Sequence, residues 1–340
     1  MLTNSEHVKQ KRVVEKQAVP DASVKCAART SEAPLQTSKR YTVWSDALPA
    51  FLERVESREP VPKWNLGDNY QDIQIEKGEM VFLGGPPGAG KTVMLLDWLV
   101  KILLHDDSTK VFIDQVEMSP EKLIRRLVAR FARVHAYKMR DAILSDDELL
   151  RIKCDGIPKL EQFSSRIANF DPPHVIEDVI ENALDFGASV VCIDYLQRVK
   201  TRRRSSLDTR SNIDSVLSTC RDAAMTYGLT IFVASSLARA ASKQGADAYC
   251  IDNLSMASFK DSGDIEYAAD SAYLLGRSGP KQRLLKCVKT RDDEDGWTVS
   301  YDFNGAMYEL SRVEGSSTKG CSFEAPTSLA ADTQFDGVDW

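Results

Sequence analysis

The chain has 340 residues, of which 43% are hydrophobic and 28% are charged. This composition is ordinary for a protein with a sizeable core, and the length allows one large α/β domain with tails or two small domains. The net charge of −6 excludes a polycation. Any contact with nucleic acid would therefore depend on local basic patches rather than on the overall charge.

Cysteine usage and hydropathy exclude several protein classes. The seven cysteines are widely scattered and form no CxxC pair, which argues against a disulfide framework or a zinc site and favours a reducing cytoplasm. The N-terminus lacks the apolar stretch of a signal peptide. The most hydrophobic run, VMLLDWLVKILL, is interrupted by Asp97 and Lys101 and is too short to cross a bilayer. We therefore expect a cytoplasmic protein without membrane contact.

The two ends of the chain differ in composition from its middle. Residues 1–40 are polar and mildly basic and are predicted to be a disordered arm, and residues 314–340 are predicted to be a disordered acidic tail. Between the arm and the main domain, residues 41–59 predict an amphipathic helix, with Ser45 as its N-cap and Pro49 in its first turn. Its apolar stripe must pack on its own domain or on a neighbouring subunit.

Strand and helix patterns alternate through the middle of the chain. MVFLGG, KVFIDQV and SVVCIDYL each precede a helical pattern, beginning near Lys91, Pro120 and Leu207, and the strand-like LTIFVASS follows the last of these. This alternation predicts an α/β fold with a largely parallel sheet flanked by helices. The later segments SAYLLG, RLLKCVKTR, WTVSYDF and MYELS have little helix between them and predict an added antiparallel edge, with a turn at Asn304-Gly305.

A glycine-rich segment, GGPPGAGKT, matches the Walker A pattern in full. Its glycines allow the backbone to wrap a β-phosphate, so that N–H groups and a helix N-terminus face the anion. Lys91 is predicted to reach the β- and γ-phosphate oxygens, and Thr92 to supply a hydroxyl ligand to Mg²⁺. The sequence thus predicts a site for ATP and Mg²⁺ formed by Gly85, Pro86, Pro87, Gly88, Ala89, Gly90, Lys91 and Thr92.

Two further positions are candidates for carboxylate chemistry. Asp194 ends the apolar run SVVCID, as a Walker B aspartate that holds the Mg²⁺ shell would. Hydrolysis also needs a group that orients and deprotonates water, and both Glu117 and Asp114 lie at the end of the VFIDQV strand. The ends of parallel strands open onto the ligand crevice, so spacing alone leaves both candidates.

Five blocks together resemble the RecA-like motor domain of the DnaB-like replicative helicases. They are GGPPGAGKT, VEMSPEKL, CIDYLQR, LSMASFKDSGDIEYAAD and KCVKTRDDEDGWTVSYDFNG. The resemblance implies a RecA-like P-loop ATPase core over residues 60–313, with residues 41–59 similar to the family's linker helix. We expect no counterpart of the family's collar domain in this chain, because only about sixty residues precede the predicted motor.

The resemblance also implies roles for single residues. Glu117 would be the catalytic carboxylate, which decides against Asp114, and Gln197 would sense the γ-phosphate. Arg291 would be an arginine finger that acts, with Lys289, on the nucleotide of the neighbouring subunit. Single-stranded DNA would be held by Lys260, Asp261 and Gly263.

A basic patch, RVKTRRRSS, directly follows the Walker B segment. Its Arg202, Arg203 and Arg204 lie in a loop at the crevice edge of the predicted sheet. The patch either neutralises DNA phosphates or is a flexible charged loop. Both interpretations stay open.

The family resemblance implies an ATP-driven helicase that forms a hexameric ring and moves 5′ to 3′ on single-stranded DNA during replication. The tails are candidate contacts for replication proteins, and the alternative for the C-terminal tail is an inert frayed end. One departure is the segment ASSLAR, where Ser236 and Ala238 replace two polar amides of the family while Arg239 is kept. Two alternatives are a RecA/RadA/KaiC-like ATPase that remodels DNA or protein without unwinding, and a nucleotide-gated DNA-binding scaffold.

Overall fold

The computed structural model describes residues 43–202, 209–238, 251, 254–260 and 262–318. The chain divides into two compact units, Met1–Pro60 and Val61–Trp340. The predicted arm over residues 1–40 lies outside the described residues, and so does the predicted tail from residue 319 onward.

The first unit contains one described helix, α1, which spans Trp44–Ser57. Its N-cap is Val43 in an extended conformation, so the assignment of Ser45 as the cap was wrong. Because the helix begins earlier, Pro49 falls in the second turn, where its missing N–H removes one backbone hydrogen bond. The apolar stripe is exposed, and no residue of α1 is buried.

The second unit is built on a sheet that, within the described residues, has nine strands in the order β3-β2-β4-β5-β1-β6-β7-β8-β9. The first six strands in this order pair in parallel, and the last three extend the sheet through antiparallel pairs. The predicted parallel sheet with an antiparallel edge is confirmed. The strands are β1 Met80–Gly84, β2 Val111–Gln115, β3 Ile167–Asn169, β4 Val190–Asp194, β5 Thr230–Ser235, β6 Ser271–Arg277, β7 Gln282–Lys289, β8 Thr298–Asn304 and β9 Glu309–Arg312.

Helices cover both faces of the sheet. They are α2 Lys91–His105, α3 Pro120–Ala132, α4 Ala136–Arg140, α5 Asp146–Arg151, α6 Ile157–Ser164, α7 Ile176–Phe186, α8 Thr209–Tyr227 and α9 Ser262–Ala268. The core has two main layers, one on each side of the sheet. In β1, Val81 and Leu83 pack in the layer that contains α2, whereas Met80 and Phe82 pack in the layer that contains α7 and α8. This alternation is the two-residue period of a strand buried on both faces.

The charged residue within the most hydrophobic run is satisfied inside the core. Asp97 of α2 is 2% exposed, accepts a hydrogen bond of 2.7 Å from the Tyr70 hydroxyl and forms an ion pair with Arg130 of α3. A buried carboxylate is tolerated when it is paired and hydrogen-bonded in this way. Asp97 thus links α2 to α3. No helix of the described segments combines the length and the apolar character needed to cross a membrane.

Candidate nucleotide-binding site

The Walker A segment forms a tight loop between the central strand β1 and helix α2. Gly90, the N-cap of α2, has φ +107°, a conformation that a residue with a side chain rarely adopts. At Gly85, a Cβ atom would lie 2.7 Å from the Leu275 carbonyl oxygen. Both glycines are therefore required by the backbone, and the loop leads directly into the N-terminus of α2, which favours an anion.

The lysine and threonine of the loop lie beside two carboxylates. Lys91 Nζ donates a 2.7 Å hydrogen bond to the Gly85 carbonyl, and burial lowers the pKa of this amine, against the opposing effect of Asp194 and Glu117. Thr92 Oγ1 donates to Asp194 Oδ2 over 2.5 Å. A hydroxyl and a carboxylate oxygen this close are the hard oxygen donors that Mg²⁺ prefers, so Thr92 and Asp194 fit a magnesium site.

Gln115, which the sequence analysis did not select, connects the two candidate carboxylate positions. Its Nε2 donates to Asp194 Oδ2 over 2.8 Å, and its Oε1 accepts from the Glu117 N–H over 3.1 Å. Gln115 is 7% exposed and is paired with Asp194 across strands β2 and β4. It therefore fixes the orientation of Asp194 and the start of the segment that carries Glu117.

Glu117 and Asp114, which spacing alone did not separate, point into different surroundings. Glu117 lines the same cleft as Lys91, Thr92 and Asp194. Asp114 is fully buried and contacts His174 Nδ1 through its Oδ1 over 2.5 Å. Burial raises the pKa of the Asp114 carboxyl, and His174 partly opposes that rise. Since side chains alternate along a strand, Asp114 faces away from Gln115 and from the cleft.

Two arginines, one on β6 and one on β7, brace the Walker A loop through hydrogen bonds to its backbone. Arg277 on β6 donates to the Gly88 carbonyl over 2.6 Å, and Arg283 on β7 donates to the Ala89 carbonyl over 2.8 Å. Arg283 is 4% exposed and its guanidinium also lies 4.3 Å from the Phe303 ring centroid. No motif in the sequence indicates these braces, because they depend on which edge strands lie beside β1.

The cleft next to the loop has a volume of about 400 Å³. It is lined by the loop with Lys91 and Thr92, and also by Met118, Arg126, Phe303 and Tyr308. The Arg126 guanidinium lies 4.8 Å from the centroid of the Tyr308 ring. A flat, polarisable surface in the same cleft as a Walker A loop suits the nucleoside half of a nucleotide.

A chain of hydrogen bonds runs from the cleft to the segment that carries Lys260. Gln197 donates through Nε2 to Ser235 Oγ over 2.9 Å and accepts through Oε1 from the Ser236 N–H over 3.2 Å. The Ser236 carbonyl accepts from the Lys260 N–H over 3.0 Å. Ser236 itself lines the nucleotide cleft. Its main chain, rather than its side chain, makes these connections to Gln197 and Lys260.

Lys289 and Arg291 lie near the amino-terminal ends of the parallel strands, whereas the cleft lies at their carboxyl-terminal ends. Strand β7 runs antiparallel to β6, and Lys289 pairs with Ala272 near the start of β6. Arg291 Nε contacts Asp270 Oδ1 over 2.9 Å, and Lys289 Nζ donates to the Ala269 carbonyl over 2.7 Å. Burial, and the nearby Arg291 guanidinium, lower the pKa of the Lys289 amine. The structure thus brings these two residues together, but not with Lys91.

The candidate DNA contacts are described in part. Arg202 forms ion pairs with Asp178 and Glu181 of α7. Lys260 lies in a turn and Gly263 in the first part of α9. A Cβ atom added at Gly263 would lie 3.6 Å from the Arg210 guanidinium, which is an ordinary contact distance. The remaining candidates lie outside the described residues; they are Arg203, Arg204 and Asp261, together with Arg239 of the ASSLAR segment.

Together, the fold and the site define the class of protein to which this chain belongs. A mainly parallel sheet carries a Walker A loop after its central strand and an aspartate at the end of a nearby strand, close to the loop threonine. These are the parts of a RecA-like P-loop nucleotide-binding domain. Within that class, the chain belongs to the DnaB-like helicase family, because the profile of the DnaB-like helicase C-terminal domain matches residues 72–306.

Individual relatives agree with this assignment. A probable plasmid replicative DNA helicase of Chlamydia trachomatis is 23% identical over 252 residues, covering 70% of this chain and 54% of the relative. The replicative DNA helicase DnaB of Helicobacter pylori is 25% identical over 218 residues, covering 62% and 42%. The chain therefore spans about half the length of the curated relatives it matches.

Solved structures show the same fold. One solved ATPase domain superposes on this chain with a TM-score of 0.68 at 19% identity, covering 80% of this chain and 99% of that domain. A DnaB-like replicative helicase whose structure was described with its interactions with primase gives a TM-score of 0.66 at 18% identity, covering 81% and 68%. The predicted RecA-like core is confirmed.

Proposed function

We propose that this protein is an ATP-driven DNA helicase that works as a ring of identical subunits and translocates 5′ to 3′ on single-stranded DNA during replication. The proposal depends on the position of Arg291, which lies at the end of the strands opposite the nucleotide cleft of its own subunit. A finger in that place serves a reaction centre only in another copy of the chain.

The nucleotide half of the proposal assigns ATP to the 400 Å³ cleft. The loop from Gly85 to Thr92 would hold the phosphates, with Lys91 at the β- and γ-phosphates and the nucleoside beside Arg126 and Tyr308. Thr92 and Asp194 would hold Mg²⁺, which neutralises charge on the phosphates when it is bound. Glu117, exposed at the rim of the cleft, would orient and deprotonate the attacking water.

The trans action of Arg291 follows from the length of β1. The Asp270 carboxylate that pairs with Arg291 also accepts from the N–H of Met80 over 2.8 Å, at the start of β1. The loop carbonyl bound by Lys91 belongs to Gly85, five residues further on. At about 3.3 Å per residue these points are about 16 Å apart, which is longer than an arginine side chain. Arg291, with Lys289 beside it, would therefore complete the site of a neighbouring subunit.

Coupling between nucleotide and DNA would use the main chain of Ser236. Gln197 would respond to the γ-phosphate, and its amide contacts Ser235 and Ser236 at the end of β5. Lys260, held by the Ser236 carbonyl, would contact DNA phosphates together with Asp261 and Gly263. Because Ser236 and Ala238 make their contacts through backbone atoms, the serine and alanine at these two positions of ASSLAR are compatible with this coupling. The loop of Arg202, Arg203 and Arg204 would add sequence-independent contacts.

The assembly half of the proposal assigns a linker role to residues 41–59, ahead of a motor domain over 60–313. The side chains of Trp44, Leu48, Phe51, Leu52 and Val55 are all more than half exposed, and an apolar stripe of that size is typical of a protein interface. We assign it to a second copy of the chain, in a hexameric ring. We further propose a cytoplasmic location, with replication proteins contacted through the arm (1–40) and the tail (314–340).

Three assays of the full chain test this proposal. ATP hydrolysis should require assembly and should increase with single-stranded DNA, and a forked duplex should be unwound. ATP hydrolysis stimulated by DNA without strand displacement would instead support a RecA/RadA/KaiC-like remodelling ATPase. Nucleotide-dependent DNA binding with negligible turnover would support a scaffold.

The variant Lys91→Ala tests the phosphate site itself, since it should abolish turnover and weaken ATP binding. Lys153→Ala, which removes an exposed lysine elsewhere, serves as the matched control. Normal turnover by Lys91→Ala would refute the assignment of ATP to this cleft.

A further inference from the structure

A second, strongly basic cleft adjoins the nucleotide cleft. Its volume is about 240 Å³, and it shares Arg126 and Tyr308 with the larger cleft. Its remaining lining residues are Lys122, Arg125, Ala136, Tyr137 and Arg140. It is thus lined by four cationic side chains and two tyrosines, and none of its lining residues is acidic.

Two helices carry these cations, and Tyr308 from the loop between β8 and β9 completes the lining. Lys122, Arg125 and Arg126 lie on one face of α3, at the i, i+3 and i+4 positions that neighbour each other on a helix. Arg140 is the last residue of α4. Tyr308, between β8 and β9, has φ +50°, a left-handed conformation that is unusual for a bulky residue and that places its ring under the Arg126 guanidinium.

The acidic neighbours compensate this charge only in part. Arg125 pairs with Glu121, whose side chain is 81% exposed, and Arg140 pairs with Asp141, whose side chain is 43% exposed. The hydrogen bond from Arg140, together with the nearby Arg125, lowers the pKa of the Asp141 carboxyl. Counting both carboxylates, two positive charges stay unbalanced in a small cleft, where like charges repel unless an anion binds.

We infer that this cleft binds a phosphate group carried on the ribose of a nucleotide whose 5′-phosphates occupy the Walker A loop. The inference rests on the proposed ATP site. With the 5′-phosphates at Lys91 and Thr92, the nucleoside lies towards Arg126 and Tyr308, which are the two residues that open onto the basic cleft. Guanidinium groups bind phosphate through paired, charge-assisted hydrogen bonds, and the hydroxyls of Tyr137 and Tyr308 are further donors. Nucleotides that bear a 2′- or 3′-phosphate would therefore compete with ATP.

The test compares ADP with adenosine 3′-phosphate 5′-diphosphate and with its 2′-phosphate isomer, by calorimetry on the full chain. At least one of the two isomers should bind about tenfold or more tightly than ADP, since a hydrogen bond to a charged group contributes at least that much. In the double variant Lys122→Ala/Arg140→Ala this preference should disappear, while the affinity for ADP should stay within about twofold. Both substituted side chains are exposed, so the fold should persist, and a thermal melt checks this.

Each other outcome has a defined meaning. Equal affinities of the wild-type chain for ADP and for both isomers would overturn the inference, and so would a preference that survives in the double variant. Binding of inorganic pyrophosphate to the ADP complex, without preference for either isomer, would overturn the assignment to a ribose phosphate in favour of a separate oxyanion. No binding of ADP at all would instead refute the underlying nucleotide site.

Discussion

Arg291 and Asp270 form an ion pair of 2.9 Å at the amino-terminal end of the central strand. Asp270 is held in place by two more groups, the Arg221 guanidinium at 2.8 Å and the Met80 N–H at 2.8 Å. The Arg291 side chain is half exposed. Its Nε atom is held by Asp270, and its guanidinium group is still accessible to another molecule. Such an arrangement would orient the proposed finger before a second subunit binds, which would reduce the entropy lost on assembly.

If Arg291 acts as the proposed finger, its removal should separate nucleotide binding from catalysis. Arg291→Ala should bind ATP about as well as the wild type but lose roughly 10³–10⁵ in turnover, as expected for an arginine finger. Asp270 retains Arg221 and Met80 as partners, so the fold should persist. Steady-state hydrolysis and equilibrium nucleotide binding measure the two effects.

Mixing two inactive variants shows whether the finger acts between subunits. Arg291→Ala subunits keep Glu117, and Glu117→Gln subunits keep Arg291. In a mixed assembly, some interfaces would therefore contain both functional groups and should recover hydrolysis. Absence of recovery at every mixing ratio would contradict action in trans.

Gln115 should be needed for the magnesium site, although it is not a ligand in our proposal. Gln115→Leu removes the hydrogen bonds that hold Asp194 and the Glu117 N–H. Loss of a hydrogen bond to a charged group costs about 1.5–3 kcal/mol. We therefore expect a higher Mg²⁺ concentration for half-maximal hydrolysis and a turnover reduced about tenfold or more. Titration of the ATPase rate with Mg²⁺ measures both quantities.

A matched control is Gln74→Leu, which alters an exposed glutamine that donates to the Gln71 carbonyl three residues earlier. It should leave the Mg²⁺ dependence unchanged. If Gln115→Leu behaves like this control, then Asp194 is oriented without Gln115, and the structural link between β2 and β4 has no part in metal binding.

The core of the fold was predictable because its signals are local. Continuous apolar runs such as β1 and β4 are typical of parallel strands buried on both faces, and Asn304-Gly305 marks the turn after β8. By contrast, the sequence analysis did not identify α4, α5, α6, α7, α9 and the short edge strand β3. Apart from α7, these elements are brief, and their patterns are too short to show a period. They depend on local contacts such as the Ser145–Glu148 capping box and the π-helical turn over Ile152–Gly156.

The geometry of the candidate site was predictable where one motif contains the residues that lie together, as in the loop that ends with Lys91 and Thr92. It was not predictable where contacts join distant segments. Gln115 contacts Asp194 because β2 lies beside β4, and Arg283 contacts the Ala89 carbonyl because β7 follows β6 in the sheet. The separation of Asp114 from Glu117 likewise needed the direction of each side chain, because both residues end the same apolar run.

Glu79 should make stability depend on pH in the neutral range. Burial, with the Asp270 carboxylate nearby, raises the pKa of Glu79 to about 7, and carboxylate oxygens of Glu76 and Asp292 lie within 4.8 Å of it. The folded chain therefore keeps a proton here that the unfolded chain loses near pH 4.5. The stabilisation is complete below that pH and disappears as the pH rises through about 7.

The variant Glu79→Gln cannot ionise but can still accept a hydrogen bond from Ser271, as Glu79 does over 3.2 Å. The rise in the pKa alone corresponds to about 3 kcal/mol, and solvent screening of this half-buried side chain reduces that figure. Above pH 7 the variant should therefore be more stable than the wild type by about 1–2 kcal/mol, and near pH 4.5 the two should be equal. Urea unfolding at several pH values measures this difference. A constant difference at every pH would mean that Glu79 does not titrate in this range.

The exposed stripe of α1 should control assembly rather than folding of the main domain. Phe51 is 54% exposed, so Phe51→Asp buries no charge within α1 and should leave its helix intact. At an interface between copies, however, the new carboxylate would be desolvated without a partner. We expect a lower oligomeric mass by light scattering and a matching loss of ATPase activity, while Glu56→Gln, on the same helix, should change neither. An unchanged mass for Phe51→Asp would mean that the stripe does not join two copies of the chain.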